Sequence, residues 1–286
     1  MKLISIKTLK LYMTMFTFLL SGCQGLTSFY FFPENDYRIT PDKLNLEYQP
    51  VTLTTDDHIT LENWWLPAQP KEQTSEARGT ILFLHGNAEN ISTHIYSIAW
   101  LPRQGYNVFM LDYRGFGRSK GNPKLPEIFQ DIDAAALWLQ AQESVQDKPL
   151  YLLGQSIGAT LGATWVSRSN HQEAFNAVVL DAPFASWPGM ARYAVSRQWQ
   201  TWVALPGTYL VPTQWDAEQH IKKLKKPLMV IHSSDDTIIP AIQSRKIYEN
   251  SPSTKQWLET RGPHVATFGQ KKNRETFLQF LENNRS

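Results

Sequence analysis

One short stretch limits the possible folds of this chain more than any other. Apolar residues run from Pro149 to Leu153, the turn Gly154-Gln155-Ser156-Ile157-Gly158 follows without a spacer, and Ser156–Arg168 then reads as a helix. A strand that passes straight into a helix is a unit of alternating strand and helix architecture. So tight a turn strains its central residue, and the positions flanking it must be small. Both 154 and 158 are glycine. The turn also lifts the Ser156 hydroxyl above the sheet edge, where the first amides of the following helix point at any negative charge that develops.

The same alternation extends over most of the chain. Val51–Thr54 and Ile59–Leu66, joined through Asp56-Asp57, predict an opening antiparallel hairpin. Strands are then expected at Thr80–Leu84, Asn107–Leu111, Pro149–Leu153, Ala177–Leu180, Leu228–Ile231 and Gln256–Leu258. Helices are expected at Asn90–Gln104, Pro126–Gln142, Ser156–Arg168, Ala241–Asn250 and Lys271–Asn284. This order predicts a mainly parallel, doubly wound α/β sheet covered on both faces. The pattern lapses across residues 184–226, a stretch dense in tryptophan (Trp187, Trp199, Trp202, Trp215) and proline with no strand of its own. That segment reads as an inserted helical cap. Its aromatics fit two readings equally: a site for an apolar acyl or aryl group, or packing of the cap onto the body.

A serine hydroxyl becomes a nucleophile only when a base reaches it. Seven histidines are available. His85 belongs to a His-Gly pair after the strand at Thr80–Leu84, and His58, His94 and His171 fall in a turn, a helix and a loop far from the required place. His220 lies in the cap, and His232 ends a strand, where it packs. His264, in Gly262-Pro263-His264 between the last strand and the last helix, occupies the loop from which a base would reach Ser156. The carboxylate that would orient the imidazole is sought after the preceding strands. Asp236, four residues before Pro240, is favoured, with Asp235 and Asp181 as contenders.

The order Ser156, Asp236, His264 along alternating strands and helices resembles the α/β-hydrolase superfamily over roughly residues 45–286. Leu84-His85-Gly86-Asn87-Ala88 resembles its oxyanion-loop motif, and Asp112-Tyr113-Arg114-Gly115-Phe116-Gly117-Arg118-Ser119 resembles the loop after the fourth strand in its compact esterase and serine-aminopeptidase-like branch. The segment from Asp236 to Pro240 is similar to that branch's acid loop. The resemblance implies that the backbone N–H groups of Asn87 and Ile157 form an oxyanion hole, each donor worth around 3 kcal/mol in acyl transfer. Two positions depart from the pattern: Glu89 and Pro263 stand where glycine is commoner.

The first 22 residues carry another message. Three lysines in the first ten positions precede the apolar stretch Leu11–Leu20 and then small residues, the form of an export signal. The apolar part is too short to cross a bilayer, which takes roughly 20 apolar residues. Leu20-Ser21-Gly22-Cys23 resembles the lipobox of bacterial lipoproteins, which implies lipid on Cys23, the sole cysteine. Gln24 after it resembles the sorting pattern that favours the outer over the inner membrane, so a periplasm-facing envelope protein is expected. Residues 23–44 read as a tether that packs onto the domain near the bilayer. Of 28 basic residues, Lys2, Lys7 and Lys10 belong to the signal, and the other 25 face 26 acidic ones. A body so nearly neutral gives no reason to expect nucleic-acid binding. The cluster Lys222, Lys223, Lys225, Lys226 reads as a solvated helix end.

The expectation is therefore a lipid-anchored monomer that cleaves carboxylic esters of a small-molecule acyl substrate through an acyl-enzyme, with no metal or organic cofactor. A peptidase or thioesterase on the same scaffold is the nearest alternative. A non-catalytic lipoprotein using the fold as a binding module is the more distant one.

Overall fold

A computed structural model describes residues 26–70, 76–168, 170–197 and 199–285. The proposed signal segment and Cys23 lie outside the described residues.

Eight strands form one sheet: β1 (Gln49–Thr54), β2 (Thr60–Leu66), β3 (Gly79–Leu84), β4 (Tyr106–Leu111), β5 (Leu150–Gln155), β6 (Ala177–Asp181), β7 (Leu228–Ser233) and β8 (Lys255–Thr260). Their spatial order is β1-β2-β4-β3-β5-β6-β7-β8. The β1–β2 and β2–β4 pairs are antiparallel, and every other pair is parallel. The sequence explains the difference. In β1 burial alternates from Val51 onward, as suits a strand with one face wet, whereas β3 through β7 are buried at every position. In β5, Leu150 and Leu152 enter the core on one face while Tyr151 and Leu153 enter that on the other. Full burial of each such side chain stabilises the fold by about 1.5–3 kcal/mol, so register errors in this strand are costly on both faces.

Helices cover the sheet: α1 (Ile91–Ile98), α2 (Ile128–Gln140), α3 (Ile157–Arg168), α4 (Trp187–Ser196), α5 (Ala217–His220), α6 (Ala241–Asn250) and α7 (Lys271–Asn283). α1 is shorter than the periodicity predicts. The Asn90 side chain caps it by accepting the Ser92 N–H, but it ends at Ile98 because Pro102 has no N–H to return to the Ile98 carbonyl. α3 starts one residue later than expected, since Ser156 itself sits at φ 55° and cannot be its first helical residue.

Between β6 and β7 the chain makes the cap from α4, a 3₁₀ segment at Trp199–Leu210 and α5. Its tryptophans divide. Trp187 is buried, its ring edge-on to Phe184 at 4.8 Å and its indole N–H donating to the Trp215 carbonyl at 3.0 Å. Trp199 and Trp202 face solvent.

The N-terminal residues from Leu26 pack onto the body. The Tyr30 hydroxyl donates to the Trp187 carbonyl at 2.7 Å, Phe31 is buried against Phe116 and Trp187, and the Phe32 N–H donates to Asn87 Oδ1 at 3.0 Å. Aromatic burial and these three anchors make the segment a wall of the body.

Candidate active site

Strands β5, β7 and β8 are parallel, so the loops leaving their carboxyl ends gather on one edge of the sheet, where ligands of open α/β sheets bind. Ser156 leaves β5 on such a loop. Its left-handed backbone is held by its own N–H, which donates to the Asp181 carbonyl at 2.8 Å. The flanking glycines are required by contact. A Cβ on Gly154 would stand 2.6 Å from the Ala159 Cα, and one on Gly158 only 2.2 Å from the Leu84 carbonyl oxygen.

His264 reaches this point from the β8–α7 connection. Its Nε2 lies 2.8 Å from Ser156 Oγ, and its Nδ1 lies 2.6 Å from Asp236 Oδ2. With the proton on Nδ1, the imidazole donates to the carboxylate and offers an Nε2 lone pair to the serine hydroxyl. The other Asp236 oxygen accepts the N–H groups of Ile238 at 2.8 Å and Ile239 at 3.0 Å. Burial pushes the Asp236 carboxyl up, but the bonds from His264 and these two amides outweigh it and leave the group below the ordinary carboxylate range. It is thus an anion able to steady an imidazolium.

The competing acids have different places. Asp235 accepts the Gly262 N–H at 2.9 Å and an Arg261 guanidinium N–H at 3.1 Å, and Ser233 Oγ donates to the Gly262 carbonyl at 2.6 Å. These bonds brace the turn that carries His264. Asp181 lies beneath the site, accepting from Gln155 Nε2 and Thr267 Oγ1, each at 3.0 Å. Gln155 in turn accepts from Ser97 at 2.8 Å. Burial pushes the Asp181 carboxyl up to about 6 against the opposing bonds from Gln155 and Thr267. No signal short of strand pairing shows that residues 97, 155, 181 and 267 form one network tying the serine turn to the histidine loop.

Other histidines are occupied elsewhere. His232 Nδ1 pairs with Ser244 Oγ at 2.8 Å under the triplet, as expected for a packed strand residue. His85 is fully buried beneath the oxyanion-motif loop, its Nδ1 2.7 Å from the Gly86 carbonyl, and burial lowers its pKa to about 4. It shapes that loop as a neutral ring. Ala88 and Glu89 both take positive φ, 67° and 55°, the conformation that explains why glycine suits position 89. Arg114 of the loop after β4 is a structural tie: its guanidinium bonds Asp57 at 2.7 and 3.0 Å and Asp131 at 2.8 Å.

Ser156, Asn87 and Ile157 open onto a cavity of about 520 Å³. Ile157 is the first residue of α3, so its N–H has no acceptor within the helix. The rest of the wall is almost wholly apolar, with Met190, Ala191 and Val195 from the cap, Ile238 from the acid loop, and Phe29 and Phe32 from the N-terminal segment. The sequence reading placed no N-terminal residue at the site, because the run Phe29–Phe32 has no periodicity to assign it a face.

Residues 75–213 match the family described as Serine aminopeptidase, S33. YfhR of Escherichia coli K12 is 32% identical over 260 residues, covering 89% of this chain and 86% of that protein. The chain belongs to the α/β-hydrolase superfamily. The lysophosphatidylserine lipase ABHD12 of Macaca fascicularis is 28% identical over 202 residues, or 65% of this chain and 50% of that one. Among solved structures, the Pyrococcus furiosus esterase Pf2001 shares the fold with a TM-score of 0.71 at 22% identity, over 90% of this chain and 99% of that one. The eight-stranded, mostly parallel sheet with flanking helices is that of this hydrolase superfamily.

Proposed function

We propose that this hydrolase cleaves carboxylic esters carrying an extended acyl chain, by a serine mechanism. The observation that carries the proposal is the hydrogen bond between Ser156 Oγ and His264 Nε2 at the wall of an uncharged, apolar cavity. As a substrate carbonyl approaches, His264 takes the hydroxyl proton and Ser156 Oγ attacks. The oxyanion formed is held by the N–H groups of Asn87 and Ile157, and Asp236 stabilises the imidazolium. His264 returns the proton to the leaving alkoxide, water repeats the attack on the acyl-enzyme, and the free acid departs.

Ester cleavage fits better than aminopeptidase action. An aminopeptidase must hold the ammonium group of its substrate, and no described residue lining the cavity carries a charge. The lipid ester in the name of the ABHD12 relative supports the same substrate class here. The test is a chain-length series of p-nitrophenyl esters with wild type and Ser156→Ala. Turnover should rise from acetate toward longer chains and vanish in the variant. Equal turnover by the two proteins would overturn the mechanism, and a preference for amino-acid anilides over every ester would overturn the substrate class.

We further propose that Cys23 carries lipid and fixes the protein, as a monomer, to the periplasmic side of the envelope, with the outer membrane favoured. Cys23→Ser should move the protein from the membrane fraction to the soluble one, and a variant that still sediments with membranes refutes the anchor.

A further inference from the structure

The 3₁₀ segment Trp199–Leu210 has two faces with opposite demands. Ala204, Gly207 and Thr208 line the cavity from inside. The residues on either side of them are exposed, and they are large and apolar: Trp199 is 74% exposed, Trp202 57%, Val203 89% and Tyr209 75%. The mouth continues this surface, since Phe29, Phe32 and Ile238 line the cavity yet remain more than half exposed. Most of the large apolar side chains exposed on the described residues therefore belong to the segments that enclose one cavity. A monomer in water leaves such a concentration uncovered only at a cost, so its position marks an interaction surface.

Charge says what covers it. The sequence has no acidic residue between Asp181 and Asp216 and none between Cys23 and Glu34, while Arg192 and Arg197 lie in or beside α4. Arg192 stacks over the Tyr209 ring at 5.2 Å, and the Arg197 guanidinium bonds the Thr237 carbonyl, so both cations stand at the apolar patch. A second copy of the chain would bring an equally cationic face against this one across a two-fold interface. An anionic bilayer surface complements the patch instead. Its phosphates meet the arginines, its interface suits tryptophan and tyrosine rings, and its acyl region receives Val203, Leu210 and the phenylalanines.

We infer that the cap face built on Trp199–Leu210, with Phe29, Phe32 and Ile238, seats on an anionic lipid bilayer and turns the cavity mouth toward the membrane. The lipid chain of an ester then reaches Ser156 without crossing water. This docking goes beyond the proposed hydrolysis and is measured without it.

The test uses the full chain carrying Ser156→Ala, reconstituted on vesicles of phosphatidylcholine and phosphatidylglycerol with brominated acyl chains that quench nearby tryptophans. Trp199 and Trp202 are two of ten tryptophans, so their full quenching removes about a fifth of the emission if all ten emit alike. Trp199→Phe with Trp202→Phe should abolish that loss. Val203→Glu with Leu210→Glu should abolish it while both tryptophans remain. The same glutamate pair, placed in the active enzyme, should leave its melting temperature unchanged and its turnover of a short, soluble ester within twofold of wild type. Unchanged emission on brominated vesicles overturns the docking, as does a loss that survives either double substitution. A dimer whose interface shields Trp199 and Trp202 from lipid also overturns it. Because quenching needs no turnover, a failed ester assay leaves this result readable, and the reverse holds too.

Discussion

Replacing Asp236 by asparagine isolates one atom of the site. The amide oxygen can keep both N–H bonds from Ile238 and Ile239 at 2.8 and 3.0 Å, so the loop conformation persists. The amide nitrogen then faces His264 Nδ1, where the native distance is 2.6 Å, as a donor instead of an acceptor. His264 answers by moving its proton to Nε2, which lies 2.8 Å from Ser156 Oγ. A protonated Nε2 cannot accept the serine proton, and the imidazolium also loses its anion. A change of this kind in a serine triad lowers kcat by about 10⁴-fold, equivalent to about 5.4 kcal/mol of transition-state stabilisation. Initial rates on p-nitrophenyl butyrate across pH, with thermal melting as the fold control, measure it. A folded Asp236→Asn protein within tenfold of wild-type kcat refutes the role assigned to this carboxylate. Asp181→Asn, a change at an acid that does not touch His264, should stay within tenfold.

Asp181→Asn has its own signature in stability. The folded carboxyl sits at about 6, above its ordinary 3.8, so the unfolded chain loses its proton first as pH rises and the native state is penalised progressively between those values. The variant should gain on wild type by up to ~3 kcal/mol between pH 4 and 7 in urea unfolding, and a pH-independent difference contradicts the burial argument. Gly158→Ala places a methyl 2.2 Å from the Leu84 carbonyl oxygen and should yield insoluble or inactive protein, whereas Gly207→Ala, with open space around its Cβ, should be tolerated. Ala191→Trp fills part of the cavity. Excluding about four methylenes removes about 3 kcal/mol of burial, so kcat/KM for long-chain esters should drop ~10²-fold while that for acetate changes little.

Strand content was legible because β3 to β7 are continuous apolar runs that only a sheet buried on both faces can satisfy. The approach of His264 to Ser156 was legible because parallel strands put their carboxyl ends on one edge, so that position along the chain implies nearness in space. Asp236 could be ranked above Asp235 and Asp181 only by its spacing to Pro240 and by resemblance, not by contact. What separates them is which oxygen faces the imidazole, and neighbouring residues on one loop do not disclose that. The division of the cap tryptophans was hidden for a similar reason. Trp187 and Trp215 join the body through Tyr30, Thr164 and Phe129, partners far along the chain, while Trp199 and Trp202 differ from them in nothing that composition records. Phe29–Phe32 reaches the cavity through bonds to Asn87 and Trp187, long-range contacts that leave no local pattern.

The serine mechanism is tested most directly by the mass of the intact protein, and of its peptides, after reaction with a fluorophosphonate ester. One phosphonyl adduct is expected, located on Ser156, absent from Ser156→Ala and formed far more slowly by His264→Ala. A folded wild-type protein that takes up no adduct, or takes it up equally fast without the His264 imidazole, contradicts that mechanism.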